Sequence, residues 1–289
     1  MIKVNIEQTI KTFPKRDPGA HKGDFGHVLV IAGSAGYTGA AYLASQAAIL
    51  SGSGLVTLAI GRSLYQIMAV KLTEVMVKPF FETKDFSLSL LAEKELVAFS
   101  ERCSAVVIGP GISLNKETQH LVRNLLAKLD RQVVLDADGI TACASHLDVI
   151  KNSKSKLIIT PHAGEMARLT GVDAAAVEAQ RIDVAIRFAS EYNVVLALKG
   201  HDTVVAAPGE ELYINRTGNP GMATGGTGDV LSGMIAGFAA QGIAPMSAAV
   251  LGTYFHGLAG DIALRQKGAL SLVATDLLHN LPEALKTLG

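Results

Sequence analysis

Short apolar runs rich in β-branched side chains alternate along the chain with longer stretches in which apolar residues recur at helical spacing. The runs His27 to Ala32, Gly54 to Ile60, Ala105 to Ile108, Gln132 to Leu135, Leu157 to Thr160 and Val194 to Leu198 are nearly continuous, which predicts strands buried on both faces. Helical spacing over Gly39 to Ser51, Lys116 to Leu129 and Asp173 to Tyr192 predicts the intervening helices. This order implies right-handed crossovers and an α/β fold, with a mostly parallel central sheet and helices on both faces. After Leu198 the pattern changes. Thr203 to Ala207, a Pro-Gly-Glu turn and Glu211 to Asn215 predict an antiparallel hairpin at the sheet edge, followed by a glycine loop and a small-residue helix from about Asp229 to Ala240. With no linker, repeat or low-complexity tract, residues 1–289 read as a single domain. Residues 63 to 100, with scattered aromatics and charges, carry no readable period.

Composition narrows the classes. An apolar fraction of 49%, a charged fraction of 18% and 29 glycines suit a compact, glycine-turned enzyme and exclude a disordered or fibrous chain. Basic and acidic residues balance at 26 each, so no net charge recruits nucleic acid or an acidic membrane surface. Any anionic ligand must be held by local geometry. Cys103 and Cys143 stand in apolar surroundings without metal-ligand spacing and are expected as buried reduced thiols, which favours a reducing compartment. The first ten residues lack a signal-peptide core, and no run approaches the roughly 20 apolar residues of a membrane span, so a cytoplasmic location is expected.

Open parallel sheets bind ligands beyond the carboxyl ends of their strands. The predicted exits carry Gly33-Ser-Ala-Gly-Tyr-Thr-Gly39, Gly109-Pro-Gly111, Asp136-Ala-Asp-Gly139, Pro161-His-Ala-Gly-Glu165 and Lys199-Gly-His-Asp-Thr203, and one crevice can collect them all. The densest signal is Asn215-Arg-Thr-Gly-Asn-Pro-Gly-Met-Ala-Thr-Gly-Gly-Thr-Gly-Asp229. Glycines let backbone N–H groups converge on an anion, and a following helix adds its positive end. Asp229 as a simple N-cap is the bland alternative. Gly225, Gly226, Thr227 and Gly228 exceed what capping requires, and a carboxylate beside a phosphate suits deprotonation of an attacking hydroxyl. The Gly-Lys-Ser/Thr ending of a Walker loop is absent, so Mg²⁺ and distant basic residues must neutralise the phosphates. Lys199, at the end of a buried strand, places an ammonium beside a glycine that a ligand can approach.

The chain resembles the ribokinase-like superfamily and, more narrowly, the ADP- or ATP-dependent NAD(P)H-hydrate dehydratases. The resemblance rests on the ordered stretches His21-Lys-Gly-Asp-Phe-Gly-His-Val-Leu-Val-Ile-Ala-Gly-Ser, Gly109-Pro-Gly111, Leu135-Asp-Ala-Asp-Gly, Thr160-Pro-His-Ala-Gly-Glu, Leu198-Lys-Gly-His-Asp-Thr and Gly225-Gly-Thr-Gly-Asp. It implies repair of (6S)-NADHX and NADPHX, in which the ring hydroxyl takes the terminal phosphate of ADP and the phosphate is then expelled, giving NAD(P)H, AMP and phosphate. ADP is the expected donor, with ATP the alternative. The resemblance further implies Ala40, Gly111, His162 and Asp229 as substrate contacts. It implies Lys199, Gly200, His201, Asp202, Thr203 and Gly228 as nucleotide contacts, Glu165 as a Mg²⁺ organiser acting through water, and a homotetramer.

Each residue has a plainer role open to it. Ala40 alone reads as packing, Gly111 as a tight turn, His162 as a structural histidine and Glu165 as a surface residue starting a helix. Two other functions compete. Val28 to Gly39 imitates a dinucleotide-binding turn, with Arg62 placed to meet a 2′-phosphate, which suggests an NADP-dependent oxidoreductase but leaves Gly225 to Asp229 unexplained. A kinase for a vitamin precursor would use the anion hole, yet such kinases usually carry Asn where His162 stands.

Overall fold

The computed structural model describes residues 2–209 and 211–288. Ten strands form one sheet: β1 (Ile2–Lys3), β2 (His27–Ile31), β3 (Leu55–Gly61), β4 (Met76–Phe80), β5 (Ala105–Ile108), β6 (Gln132–Leu135), β7 (Lys156–Ile159), β8 (Val195–Leu198), β9 (Val204–Ala207) and β10 (Glu211–Ile214). Their spatial order is β1-β10-β9-β8-β7-β6-β5-β2-β3-β4. From β8 to β4 every pair is parallel, and β9 runs antiparallel to both β8 and β10. The expected hairpin is therefore present but is not outermost, because β1 pairs with β10.

Continuous apolar strands arise because both faces are covered. Along β2, Val28 and Val30 join one core with the helices Thr38–Leu50, Thr227–Ala240 and Pro245–Lys267, while Leu29 and Ile31 join a second core under Lys116–Lys128 and Arg181–Tyr192. All of these strand residues are fully buried. Small residues set how deep the Thr227–Ala240 helix lies. A Cβ built at Gly233 would stand 2.1 Å from the Ala44 carbonyl oxygen, and one at Gly237 would stand 2.6 Å from that of Ala48. The glycines, one helical turn apart, let this helix seat backbone to backbone against Thr38–Leu50 and aim its N-terminus at the strand exits.

Two expectations need correction. The Asp173 to Tyr192 helix is two helices, Ala174–Ala179 and Arg181–Tyr192, broken at Gln180, whose backbone leaves the helical region at φ −127° and ψ 36°. The glycine-loop helix begins at Thr227, so Asp229 lies inside its first turn. The unreadable 63–100 region contains β4, whose Met76 is exposed, as the edge position of this strand allows. Cys103 and Cys143 are buried and free, as expected, and burial pushes their thiols up to about 11 and about 12. Among the described residues no helix is long and apolar enough to cross a membrane.

Candidate active site

Parallel pairing places the exits of β8, β7, β6, β5 and β2 side by side. At strand spacing the row is roughly 19 Å wide. It runs from Lys199 through His162 and Glu165, then Asp136 and Asp138, then Gly109 to Gly111, to Gly33 and Ala40. Strand order reverses between β5 and β2, the topological switch point at which a crevice opens.

At the switch point two glycine loops interlock. The Gly33 N–H donates to the Pro110 carbonyl (2.9 Å), and the Ser34 hydroxyl donates to the Gly111 carbonyl (2.8 Å). Gly111 has φ +56°, and a Cβ there would come within 3.0 Å of the Ala40 Cβ. Ala40 and Gly111 are thus neighbours. Gly109 is the most constrained: φ is +128°, and a Cβ would lie 1.8 Å from the Asp136 carbonyl oxygen. Substituting Gly109→Ala is expected to cost about 3 kcal/mol or more of stability, measured by denaturant unfolding, and a cost under about 1 kcal/mol would refute this reading of the contact.

A charged cluster occupies the centre of the row. Lys199 Nζ donates to Asp136 Oδ1 at 2.6 Å and lies 3.8 Å from Glu165 Oε2. Asp136 is 1% exposed, and its second oxygen accepts from the Ser232 hydroxyl (2.5 Å) of the Thr227–Ala240 helix. Burial alone would lower the Lys199 pKa, but Asp136, Glu165 and Asp229 outweigh it and hold the ammonium above the usual lysine value. Asp138 donates nothing and accepts the Ser113 N–H at 3.0 Å, and burial, with Asp136 nearby, raises its carboxyl.

Asp229 faces this cluster from the helix. Gly226, at φ +94°, is the N-cap and makes no side-chain bond. A Cβ at Gly226 would strike Leu43 at 2.5 Å, so both the turn and the packing demand glycine. The first internal bond runs from the Val230 N–H to the Gly226 carbonyl (3.2 Å), which leaves the N–H groups of Thr227, Gly228 and Asp229 without intrahelical partners. That end is an anion hole. Asp229 is not the N-cap, and its carboxylate has no hydrogen-bond partner among the described residues. Burial, then Asp136, with smaller contributions from Asp138 and Glu165, pushes its pKa up to about 7 against the opposing pull of Lys199. A carboxylate so tuned can take a proton at neutral pH.

His162 and Glu165 also do structural work. Glu165 is buried rather than on the surface: its Oε2 accepts the His162 N–H (2.8 Å), while His162 Nδ1 accepts from the N–H groups of Gly164 (3.0 Å) and Glu165 (3.4 Å). This reciprocal cap uses Nδ1 as an acceptor, so Nε2 carries the proton of the neutral ring, 3.4 Å from Glu165 Oε1. A ligand oxygen that takes the Nε2–H does so in competition with this Glu165 contact.

Beside the anion hole opens a cleft of about 530 Å³ lined by Lys199 to Thr203, Asn215 to Pro220, Thr227, Gly228 and His256. Of the expected nucleotide residues, Gly225 and Gly226 lie outside the lining, as do Ala40, Gly111, His162, Glu165 and Asp229. His201 is exposed, and Asp202, at φ +56°, accepts from Arg216 Nη1 (2.6 Å). Sequence reasoning gave no role to Asp136, Asp138, Ser232 or His256. The Asp-Ala-Asp exit was a signal for the first two. His256 lies far along the chain in a helix of apolar and small residues, and its Nε2–H donates to the Thr227 carbonyl (2.8 Å). Burial lowers its pKa to about 4, so it supports the loop as a neutral ring. Arg62 is exposed and stacks on Phe81, 4.1 Å from the ring centroid.

Among the described residues no three His, Cys, Asp or Glu side chains form a metal site by themselves. The carboxylates of Asp136, Asp138, Glu165 and Asp229 nonetheless outnumber the Lys199 ammonium. That imbalance suits a hydrated Mg²⁺ shared with phosphates, since Mg²⁺ keeps much of its water.

The family model described as NAD(P)H-hydrate dehydratase matches residues 28–283. The bifunctional NAD(P)H-hydrate repair enzyme Nnr of Moorella thermoacetica is 46% identical over 275 residues, covering 95% of this chain and 52% of that protein. The ADP-dependent (S)-NAD(P)H-hydrate dehydratase of Xanthomonas campestris is 35% identical, covering 96% and 94%. The chain thus spans about half the length of the bifunctional relatives and nearly all of the shorter one. Among solved structures, the ADP/ATP-dependent NAD(P)H-hydrate dehydratase of Bacillus subtilis, co-crystallised with ATP and Mg²⁺, superposes with a TM-score of 0.84 at 30% identity over 99% of this chain and 98% of that one. The architecture is the ribokinase-like one that the motifs implied.

Proposed function

The chain belongs to the NAD(P)H-hydrate dehydratase family, and from that premise we propose that it dehydrates (6S)-NADHX and NADPHX to NADH and NADPH at the expense of ADP, releasing AMP and phosphate. The observation that carries the reading is the placement of Asp229, in the first turn of a helix whose N-terminal N–H groups lack intrahelical partners, with no hydrogen bond to its carboxylate among the described residues and burial pushing its pKa up to about 7. ADP lies in the cleft of Lys199, Gly200, His201, Asp202 and Thr203, with its terminal phosphate on the N–H groups of the Gly225, Gly226, Thr227 and Gly228 turn. The hydrated nicotinamide ring lies toward the switch point, against Ala40 and Gly111, with His162 Nε2–H available to a substrate oxygen.

Asp229 takes the proton of the ring hydroxyl as the oxygen attacks the terminal phosphorus. Lys199 steadies the charge on that carboxylate and on the transferred phosphate. Phosphate then departs from the ring carbon far more readily than hydroxide would. Glu165 is the residue we assign to Mg²⁺, through water because both its oxygens already face His162, and the ion would neutralise phosphate charge. The proposal takes residues 1–289 as one catalytic domain, acting in the cytoplasm as a homotetramer.

Mixing the protein with Mg²⁺, hydrated NADH and either ADP or ATP tests the reading. Absorbance of the regenerated dihydronicotinamide should rise with one AMP released per NADH when ADP is the donor. No recovery with either nucleotide rejects it, and phosphorylation of a vitamin-precursor alcohol instead would establish a kinase.

A further inference from the structure

The reaction proposed above removes two protons from the substrate, and Asp229 can hold only one. Phosphoryl transfer forms a bond from the ring oxygen to the terminal phosphorus of ADP, breaks that phosphorus's bond to the bridging oxygen so that AMP leaves with the electron pair, and passes the ring hydroxyl's proton to Asp229. Elimination then breaks the bond from the ring carbon to the phosphate oxygen, whose electron pair leaves with phosphate. It also breaks a C–H bond on the neighbouring carbon, whose electron pair becomes the new C=C bond. While Asp229 holds the first proton, the second must pass either to the departing phosphate or to another base. We propose that Asp138, at the exit of β6, is that base, an inference that rests on the dehydratase reading. Of the two protons, one ends on the released phosphate and one in solvent, so the sum of hydrated NADH and ADP going to NADH, AMP and phosphate balances.

Position singles out Asp138 among the carboxylates. Its Oδ2 accepts the Ser113 N–H at 3.0 Å, which ties it to the loop carrying Gly111 on the substrate side of the row. Its charge also reaches Asp229, the base of the first step. Asp136 is committed on both oxygens, to Lys199 and Ser232, and Glu165 is committed to His162. Asp138 Oδ1 has no hydrogen bond among the described residues. The backbone on each side of the Asp138–Ser113 bond is held where L-residues seldom lie, with Ala137 at φ +50° and Ser113 at φ +89°. Such strain persists where the surrounding structure demands one orientation of a side chain.

The alternative is that Asp138 merely anchors the Ser113 loop, and Asp138→Asn separates the two, because the amide oxygen still accepts that N–H. The experiment is a rapid-quench single turnover with Mg²⁺, ADP labelled in its terminal phosphate, and hydrated NADH deuterated on the carbon beside the one bearing the hydroxyl. In the variant, NADH formation is expected to slow about 100-fold or more. Labelled phosphorylated cofactor should accumulate toward one per active site, and NADH formation should show a primary deuterium isotope effect that AMP formation lacks. AMP and NADH slowing together without an intermediate, or NADH appearing at the wild-type rate, overturns the assignment. Should Asp138→Asn fail to bind ADP or fold, Asp138→Glu replaces it: the displaced base should slow elimination more than transfer, and equal slowing of both overturns the proposal. Wild-type protein that makes no NADH overturns the dehydratase reading itself, before any variant is compared.

Discussion

Asp229→Asn is expected to lower turnover of hydrated NADH by about a thousandfold or more while ADP binding, measured by calorimetry, changes by only a few-fold. The amide preserves shape but cannot accept the hydroxyl proton, so the loss falls on the chemical step. In the wild type, kcat/KM should rise with pH through about 7 as Asp229 ionises, and the variant's residual activity should lack that limb. Stability should move the other way. The Asp229 pKa is raised in the folded state, so the folded protein binds a proton that the unfolded chain has released, and stability falls as pH climbs from about 4 to about 7. The asparagine variant carries no such cost, so its Tm should exceed the wild-type value at pH 8 and converge with it near pH 4. Full turnover, or a Tm difference independent of pH, would remove Asp229 from the proposed role.

Lys199→Met has the second largest expected effect because it acts on both stability and rate. Asp136, 1% exposed, would lose its cationic partner and keep only Ser232, and an uncompensated buried charge costs about 3–5 kcal/mol. Lys199 is also the cause that holds the Asp229 pKa down, so without it the acidic limb of the rate profile should move above about 7. We expect turnover at neutral pH to fall about 100-fold, with partial recovery toward pH 9 as Asp229 ionises. The added double variant Lys199→Met with Asp136→Asn should regain stability but not rate. An unchanged pH profile in the single variant would show that Lys199 does not tune Asp229.

The sheet was legible because its central strands are continuous β-branched runs whose burial on both faces leaves no alternation to misread, as Val28 to Ile31 illustrate. β4 was not. Its Met76-Val-Lys-Pro-Phe80 mixes charge and proline in a way that only an edge position tolerates, and edge position is a property of the assembled sheet. The break at Gln180 escaped notice because helical spacing runs through it, and the hairpin seemed outermost because two residues, Ile2 and Lys3, are too short a strand to read.

The sequence by itself determined the alternation of strands and helices, the glycine-rich turn before a small-residue helix, the row of polar strand exits and the family resemblance. These are local properties, carried by side-chain period, by glycine's access to positive φ and by motif order. Tertiary structure alone decided that Lys199 is bound to Asp136, that Glu165 is buried against His162 and that Asp138 keeps one oxygen without a hydrogen bond among the described residues, beside the Gly111 loop. It also decided the basicity of Asp229. The reason is that burial and Coulomb forces depend on distance through space and on excluded water, and the groups that tune Asp229 are brought to it by parallel pairing of strands remote from one another in the chain.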